Sequence, residues 1–229
     1  MGIDWLSAVL LSVRVATVAT AVVFCAGTGL AWLAVKRTWR GKALMDAILI
    51  LPLVLPPTVT GYLLLILLGR EGPLGSLLAA AGTPILFTWW AAVLASATVA
   101  FPLMYVGAKT GFQSVDEALE GAARTLGQSA PRVFLTVTLP LARPGITAGL
   151  LLTFVRALGE FGATLMVAGN MPGRTQTIPL AIWVAAETGD LGTASLLVGI
   201  MLVLAAGAVW FGRVRPWGGP AGGTSRNRS

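Results

Sequence analysis

Long apolar runs separated by short polar connections dominate the pattern of this chain. Five of the runs are long enough to cross a bilayer as a helix, which takes about 20 residues. They occupy roughly residues 7–35, 44–68, 89–109, 145–168 and 191–212. The pattern therefore predicts an all-α integral membrane protein with five transmembrane helices. Residues 74–86 form a shorter apolar stretch and are the candidate for a sixth span.

The basic residues predict the orientation of these spans. Twelve of the sixteen lysines and arginines fall in connections on one side of the predicted membrane. They are Lys36, Arg37, Arg40, Lys42, Lys109, Arg124, Arg132, Arg143, Arg213, Arg215, Arg226 and Arg228. Arg70 and Arg174 fall on the opposite side, and Arg14 and Arg156 fall within spans. Because cytoplasmic loops are enriched in Lys and Arg, we expect the N-terminus outside and the C-terminus in the cytoplasm. A sixth span would disturb this distribution.

The composition excludes several classes of function. Hydrophobic residues make up 56% of the 229 residues and charged residues only 11%, whereas soluble proteins carry about 25% charged residues. His is absent and Cys25 is the single cysteine, so the sequence offers no His-ligated metal site, no Ser-His pair and no internal disulfide. The net charge of +7 belongs to the topology signal, and no basic soluble module suggests nucleic-acid binding. We expect no catalytic residue, metal or cofactor on this chain.

Two regions follow from this reading. Residues 1–214 form the predicted transmembrane domain, with a long cytoplasmic connection at about residues 110–144. Residues 215–229 are rich in Gly, Pro, Ser and Arg. Such a composition predicts a disordered basic tail, which anionic membrane lipid could hold weakly.

The connection at 110–144 is too long to be a passive turn. Ser114 and Glu117 have the spacing of a capping box, which predicts the start of a helix. Gly127 predicts its end. Ser129 and Pro131 suit the first turn of a second short helix. The two helices are either an amphipathic hairpin lying on lipid or a docking element for another protein.

Arg156 and Glu160 are ionisable residues inside the fourth apolar run. They are four residues apart, so they share one helical face near the middle of the membrane. Charged residues there are costly and usually face protein or water. The pair either neutralises itself and holds helices together, or borders a translocation path or its gate. Gly159 and Thr164 lie beside the pair and are further candidates for that path.

Three prolines, Pro52, Pro56 and Pro57, interrupt the second apolar run near its middle. Each removes a backbone donor and kinks a helix. Such breaks are tolerated where neighbours or a cavity satisfy the freed carbonyls. The break is either a gate along a path, with the hydroxyl of Thr58 close by, or a kinked packing helix.

Small residues predict where helices approach one another. Gly107-x-x-x-Gly111 and Gly145-x-x-x-Gly149 are contact motifs of this kind. The apolar segment 177–187 is too short to span a membrane, and Pro179 suits the first turn of a helix. We expect this segment to form an interfacial or re-entrant helix on the outer side.

The long connection resembles the cytoplasmic signature of ABC-importer permeases. That signature reads Glu-Ala-Ala, three residues, Gly, nine residues, Ile, one residue and Leu-Pro. The matching positions are Gly121, Ala122, Ala123, Gly127, Val137, Leu139 and Pro140. Gly121 stands in place of the Glu and Val137 in place of the Ile, while Glu120 lies one residue early and is a candidate substitute. The resemblance implies that this helix docks on an ATPase subunit.

Further segments are similar to molybdate permeases. They are residues 51–61 (LPLVLPPTVTG), 122–127 (AARTLG), 156–164 (RALGEFGAT) and 169–175 (GNMPGRT). Tungstate and sulfate permeases are related and carry a similar segment around the intramembrane Glu, so they remain alternatives for the anion. The resemblance implies a type I ABC importer permease fold in the inner membrane of a prokaryote.

The same resemblance implies the partners and the mechanism. They are a homodimer of permease chains, two copies of an ABC ATPase that binds ATP and Mg²⁺, an extracytoplasmic molybdate-binding protein, and membrane lipid. The sequence contains no Gly-x-x-x-x-Gly-Lys-Ser/Thr loop, so ATP hydrolysis is expected on the partner chain. Transport would proceed by alternating access.

Two other classes of function compete with this reading. An intramembrane enzyme needs a nucleophile and a base, but the chain has no His and no Gly-x-Ser-x-Gly motif. A stand-alone secondary transporter or channel usually carries more intramembrane carboxylates or internal repeats. Dependence on an ATPase and on a soluble partner distinguishes the importer from both.

Overall fold

The computed structural model describes residues 4–214, which are mostly helical. The helices are α1 (Trp5–Lys36), α2 (Lys42–Val54), α3 (Pro57–Leu68), α4 (Pro73–Ala80), α5 (Trp89–Gln113), α6 (Glu117–Thr125), α7 (Ala130–Val133), a π turn (Phe134–Thr138), α8 (Leu139–Leu158), α9 (Gly162–Ala168), α10 (Ile178–Glu187) and α11 (Leu191–Val214). The predicted tail at 215–229 lies outside the described residues.

Four helical segments are long and apolar enough to cross a membrane. They are α1, α5, the continuous stretch Ala130–Leu158, and α11 over Leu191–Gly212. The pair α2 and α3 passes the same test when its two halves are taken together. The predicted all-α membrane fold is therefore confirmed, with four continuous spans and a fifth when α2 and α3 are counted together as one broken span. The candidate sixth span is wrong, because α4 has eight residues and cannot cross a bilayer.

Helix α5 is the centre of the core and is packed between α1 and α8. Its contact with α8 depends on the two predicted glycine motifs. A Cβ atom added to Gly107 would lie 2.6 Å from the Cα atom of Gly149, and one added to Gly145 would lie 2.6 Å from that of Gly111. No side chain fits between backbones at this separation, so the motifs allow the two helices to touch. Their pairing also shows that α8 runs antiparallel to α5.

Charged and aromatic contacts distinguish the two ends of the bundle. At one end, the Arg14 guanidinium lies 4.0 Å from the ring centroid of Trp89, the first residue of α5. At the other end, Lys36 contacts Glu120 of α6, and Asp46 contacts Lys109. Following the predicted orientation, we call the Lys36 end inner and the Trp89 end outer. Because α2 begins at the inner end and α5 at the outer end, the chain crosses once between them.

The second span differs from a single kinked helix. Helices α2 and α3 are bent by 115° at the break between Val54 and Pro57. Leu55 is extended, as the residue before a proline prefers. Pro57 occupies the first turn of α3, where its missing N–H costs nothing. Pro52, in contrast, lies inside α2.

The fourth span and the loop before it also differ from the prediction. The predicted second short helix is not separate, since Ala130–Leu158 is one continuous helical stretch. Pro140 is the second residue of α8, one residue after the π turn, where the regular i to i−4 bonding is already interrupted. The predicted span 145–168 is broken instead at 159–161, after which α9 has seven residues.

The start of α6 corrects one detail of the predicted loop. The N-cap is Asp116, whose carboxylate accepts a hydrogen bond from the Ala118 N–H at 2.8 Å. Ser114 instead donates from its hydroxyl to the Gly111 carbonyl at 2.8 Å. Ser114 retains helical backbone angles at the end of α5, whereas Asp116 has the extended conformation of an N-cap. The capping box at Ser114 and Glu117 is therefore wrong.

Helix α10 is the predicted short outer helix. It has ten residues, with Pro179 in its first turn. The Ile178 N–H donates to the Ser12 hydroxyl at 2.7 Å, and Ala181 packs with Ala8 and Leu197 in a small cluster. These contacts fix α10 between the outer parts of α1 and α11.

Candidate functional site

Helix α6 is the first part of the candidate site, and its C-terminal end is sharply defined. The Gly127 N–H donates to the Arg124 carbonyl at 2.9 Å, and the Gln128 N–H donates to the Ala123 carbonyl at 3.2 Å. This pair of bonds is a Schellman motif, which requires a left-handed residue. Gly127 has φ +81° and meets that requirement. The predicted helix end at Gly127 is confirmed.

The outward face of α6 is formed by small and apolar residues. A Cβ atom added to Gly121 would find nothing within 4 Å, and Ala122 is exposed. Leu119 and Leu126 expose 50% and 82% of their surfaces. We call Leu119, Gly121, Ala122 and Leu126 the α6 face. Because the space beside Gly121 is open and Ala122 is small, another protein surface can approach closely there.

Glu120 points away from the α6 face, into the molecule. Only 4% of this residue is exposed. Its Oε2 atom lies 2.5 Å from Lys36 Nζ at the end of α1, and its Oε1 atom accepts a hydrogen bond from the Thr138 hydroxyl at 2.6 Å. Arg124 Nη2 lies 3.9 Å from the same carboxylate. We call Lys36, Glu120 and Thr138 the inner joint.

The inner joint keeps Glu120 ionised. Burial by itself raises the pKa of this carboxyl, but the hydrogen bonds from Lys36 and Thr138 and the nearby positive charges outweigh it and lower the pKa below its usual value. An ionised, fully bonded carboxylate is the stable form in such a setting. Glu120 therefore does not share the exposed positions that are open to a docking partner. Leu139 and Pro140, also predicted to take part in docking, follow Thr138 at the start of α8.

The second part of the site is the meeting of two broken spans. A Cβ atom added to Gly162 would lie 3.1 Å from Thr58 Cγ2 and 3.3 Å from Pro57 Cβ. One added to Gly61 would lie 2.7 Å from the Ala163 Cα atom. The start of α3 therefore packs directly on the start of α9. We call this contact the paired break.

The paired break gathers most of the predicted path residues. Pro56, Pro57 and Thr58 form the α3 side of the break, and Gly159 and Glu160 precede the α9 side. Pro52 is not part of it, because Pro52 lines a separate apolar cavity with Val23, Ala26, Ile48 and Phe101 among others.

Glu160 shapes the break between α8 and α9. The residue is 2% exposed, and its Oε2 atom lies 2.8 Å from Arg156 Nη1. Its Oε1 atom accepts the Ala163 N–H at 2.8 Å, so the carboxylate caps the first turn of α9. The Arg156 side chain is 28% exposed. The predicted ion pair is present, although Glu160 lies in the break and not on a continuous helix.

Two hydroxyls near the paired break are buried without a hydrogen-bond partner among the described residues. They belong to Thr60 of α3 and Thr164 of α9, which are 4% and 0% exposed. Buried polar groups without partners are uncommon in folded proteins. Thr164 was predicted as a path residue, and Thr60 follows two residues after the predicted Thr58 in the same stretch of sequence.

Sequence reasoning missed a charged cluster between α2 and α5. Asp46 Oδ2 accepts a hydrogen bond from Lys109 Nζ at 2.7 Å, and Asp46 Oδ1 accepts one from the Tyr105 hydroxyl. Tyr105 is fully buried. The available signal was a carboxylate within the second apolar run, since such residues are rare in spans and paired when they occur.

Known proteins resemble this chain both in sequence and in fold. The sequence profile of the family described as "Binding-protein-dependent transport system inner membrane component" matches residues 24–214. The chain is 48% identical over 198 residues to the molybdenum transport system permease protein ModB of Escherichia coli strain K12, covering 85% of this chain and 86% of that one. It is 50% identical over 159 residues to the ModB protein of Haemophilus influenzae, covering 69% of each.

Chains from solved structures of ABC transporters have similar folds. A bacterial ABC transporter that imports alginate matches with a TM-score of 0.72 at 17% identity, over 94% of this chain and 81% of that chain. The MetNI methionine ABC transporter matches with a TM-score of 0.67 at 15% identity, over 90% and 92% of the two chains. At these identities the likeness shows the fold alone.

Proposed function

The chain belongs to the family of binding-protein-dependent transport system inner membrane components, and from this premise we propose that it is the membrane-spanning subunit of an ATP-driven molybdate importer. Membership makes it a permease subunit of the inner membrane. The importer-permease fold agrees with both solved transporters. The proposal concerns the substrate, the partner proteins and the roles of individual residues.

One observation carries the choice of substrate. The chain is 48% identical, over 85% of its length, to a protein named for molybdenum transport. The fold relatives transport methionine and alginate, so the fold by itself does not select an anion. The paired break resides in the segments 51–61 and 156–164, which resemble molybdate permeases.

Coupling to ATP hydrolysis is assigned to the α6 face. Two ATPase subunits, one under each permease of a homodimer, would bind Leu119, Gly121, Ala122 and Leu126. Movement of α6 would then reach the end of α1 through Lys36 and the start of α8 through Thr138, since Glu120 bonds to both. A rigid, ionised joint transmits displacement better than a flexible loop, because its partners are held by charge-assisted bonds.

The paired break is assigned to the translocation path or its gate. Helix α8 leads from the inner joint to this break, and α9 there packs on α3. A shift of α8 would therefore change the contact between the two broken spans. Broken helices of this kind occur where irregular backbone lines a cavity or path. Selectivity for the anion would rest with an extracytoplasmic binding protein, because a path must release its ion.

The experiment that tests this function is purification of the chain from its native membrane, followed by reconstitution of whatever ATPase and binding protein accompany it. Molybdate uptake into vesicles is measured with ATP inside and with the binding protein outside, and tungstate and sulfate are tested as competitors. We expect uptake to require ATP and the binding protein, with molybdate preferred over sulfate.

Two outcomes would overturn the proposal. Preference for sulfate or tungstate over molybdate would reassign the anion while keeping the importer. Uptake that persists without ATPase, and recovery of the chain alone from the membrane, would indicate a stand-alone transporter or channel.

A further inference from the structure

A cavity of about 400 Å³ opens at the outer end of the bundle. It lies between α1, the start of α5 and the connection from α9 to α10. Its lining includes Arg14, Phe87, Thr88, Trp89, Trp90 and Arg174. Two of these residues are arginines, and the proposed function gives neither of them a role.

Arg14 is held in place by an aromatic ring. Its guanidinium lies 4.0 Å from the centroid of Trp89, a cation–π contact that fixes the plane of the group and leaves its N–H edge free to donate. The side chain is exposed. No carboxylate in residues 4–214 forms a salt bridge with Arg14 or with Arg174. Both charges are therefore available to an anionic ligand.

Arg174 is presented by a tightly bonded turn. The Met171 carbonyl accepts hydrogen bonds from the N–H groups of Arg174, Thr175 and Gln176 at 3.0, 2.9 and 3.1 Å. The Thr175 hydroxyl in turn accepts the Met171 N–H at 3.0 Å. Thr175 and Gln176 are buried, so the base of the turn is anchored. Its sequence, residues 169–175, resembles molybdate permeases but has no assigned purpose.

The start of α5 adds donors to the same cavity. The Thr88 hydroxyl bonds to the Ile85 carbonyl at 2.6 Å, so the helix has no side-chain cap. The N–H groups of Ala91 and Ala92 bond to the Thr88 carbonyl, so the N–H groups of Trp89 and Trp90 are the ones that keep their donor capacity. Phe87, the residue before Thr88, has φ +59°, an uncommon conformation outside glycine. Its N–H bonds to the Val167 carbonyl at 2.9 Å, which ties the helix start to α9.

We propose that this cavity is an acceptance site for a tetrahedral oxyanion, which it receives before translocation. This inference rests on the proposed function. Two guanidinium groups can each donate paired hydrogen bonds to the oxygens of one dianion, and the volume admits such an ion with water around it. Because both arginines are exposed, binding is weak enough for release into the path.

The site is tested by oxyanion binding to the purified complex of this chain with its ATPase, in lipid nanodiscs and without the binding protein. Equilibrium dialysis with radiolabelled molybdate measures the Kd, and sulfate, phosphate and chloride are competitors. Arg14→Gln and Arg174→Gln are each expected to weaken binding by about tenfold, the loss of one charge-assisted contact. Arg70→Gln is the matched control, since it removes an equal charge predicted on the same outer side but lining a different cavity.

Lysine variants keep the test independent of folding. Arg14→Lys and Arg174→Lys retain the charge but lose the planar fork, so a smaller loss than with Gln is expected. Equal binding by wild type and both Gln variants would overturn the site, and so would an equal loss with Arg70→Gln. Capture of the binding protein is measured separately on the same nanodiscs. Weaker capture by the Gln variants, with no oxyanion bound by the wild type, would overturn the site and reassign the arginines to acidic side chains of that partner. Absence of molybdate uptake by the wild type in the vesicle experiment described above would instead count against the proposed function.

Discussion

Two buried glutamates lie near opposite ends of α8, and their carboxylates are stabilised by different kinds of partner. Glu120 bonds to Lys36, 84 residues away, and to Thr138, 18 residues away. Among the described residues, Glu160 has its partners within its own segment: it forms an ion pair with Arg156, four residues before it, and accepts a hydrogen bond from the Ala163 N–H, three residues after it. Each carboxylate is nearly inaccessible to water and paired with a cation, as buried charges require.

The difference teaches what each region can do. The inner joint connects α6 with the end of α1 and the start of α8, so under the proposed coupling role a movement of α6 would reach both helices. The bonds of Glu160 set the local path of the chain, and the contact with α3 comes from the small residues Gly162 and Gly61. The inner joint therefore suits transmission of movement, and the paired break suits a change of packing.

The largest effect is expected from a bulky substitution beside the α6 face. Gly127→Leu places a side chain at φ +81°, which costs about 1–2 kcal/mol, and adds bulk beside the α6 face. We expect transport to be abolished while membrane insertion persists, as measured by vesicle uptake and by the amount of chain in the membrane. Gly41→Leu is the matched control, since Gly41 has φ +93° and equally open surroundings but lies outside the α6 face. Undiminished uptake by a well-expressed Gly127 variant would contradict the docking role.

The next largest effect on transport is expected from a substitution of Glu160 at the paired break. Glu160→Gln keeps an acceptor for the Ala163 N–H but leaves Arg156 without its counter-charge. Removing one partner of a buried pair costs about 3–5 kcal/mol, and the partial exposure of Arg156 places this case at the lower end. We expect uptake per assembled complex to fall at least about tenfold, with little change in assembly.

A double variant sharpens this test. Arg156→Gln combined with Glu160→Gln removes both charges, and we expect it to be more stable to heat than Glu160→Gln alone. Loss of the dimer, with normal uptake per remaining complex, would instead favour a pair that only holds helices together.

The smallest effect is expected from loosening the inner joint. Glu120→Gln exchanges an ion pair for a neutral hydrogen bond and leaves Lys36, at the inner end of the bundle, without its counter-charge, which costs about 1–3 kcal/mol. We expect ATP hydrolysis to continue while less molybdate is transported per ATP. Thr138→Val removes one hydrogen bond, about 1 kcal/mol, and should change the ratio less. An unchanged ratio in Glu120→Gln would contradict transmission through the joint.

The pH dependence of α6 provides the same test without a mutation. The pKa of Glu120 is lowered in the folded protein, so its contribution to stability is complete above the usual glutamate pKa. That contribution is lost as the pH falls through the lower folded-state value. Hydrogen exchange of α6 amides, corrected for intrinsic rates, should show protection in the wild type that persists into acid pH and is lost only as Glu120 becomes protonated. The Glu120→Gln variant should show no such pH-dependent loss of protection.

Local signals explain which features the sequence could predict. Apolar run length gave the spans, Gly127 gave the end of α6, and the two glycine motifs gave the α5 and α8 contact. The capping box failed because Asp116, closer to the helix, competed successfully for the cap. The break at 159–161 was missed because the apolar run resumes directly after Glu160 and no proline marks the break.

The sequence by itself determined that this chain is a helical membrane protein, since hydrophobic length and small-residue spacing act over a few turns of one helix. The family resemblance likewise depends on short segments that can be read in order. Only the tertiary structure decided that Glu120 faces Lys36, that Asp46 faces Tyr105 and Lys109, and that two broken spans meet at Gly162. These contacts join residues tens of positions apart, and their partners are set by how the helices pack and not by any local pattern.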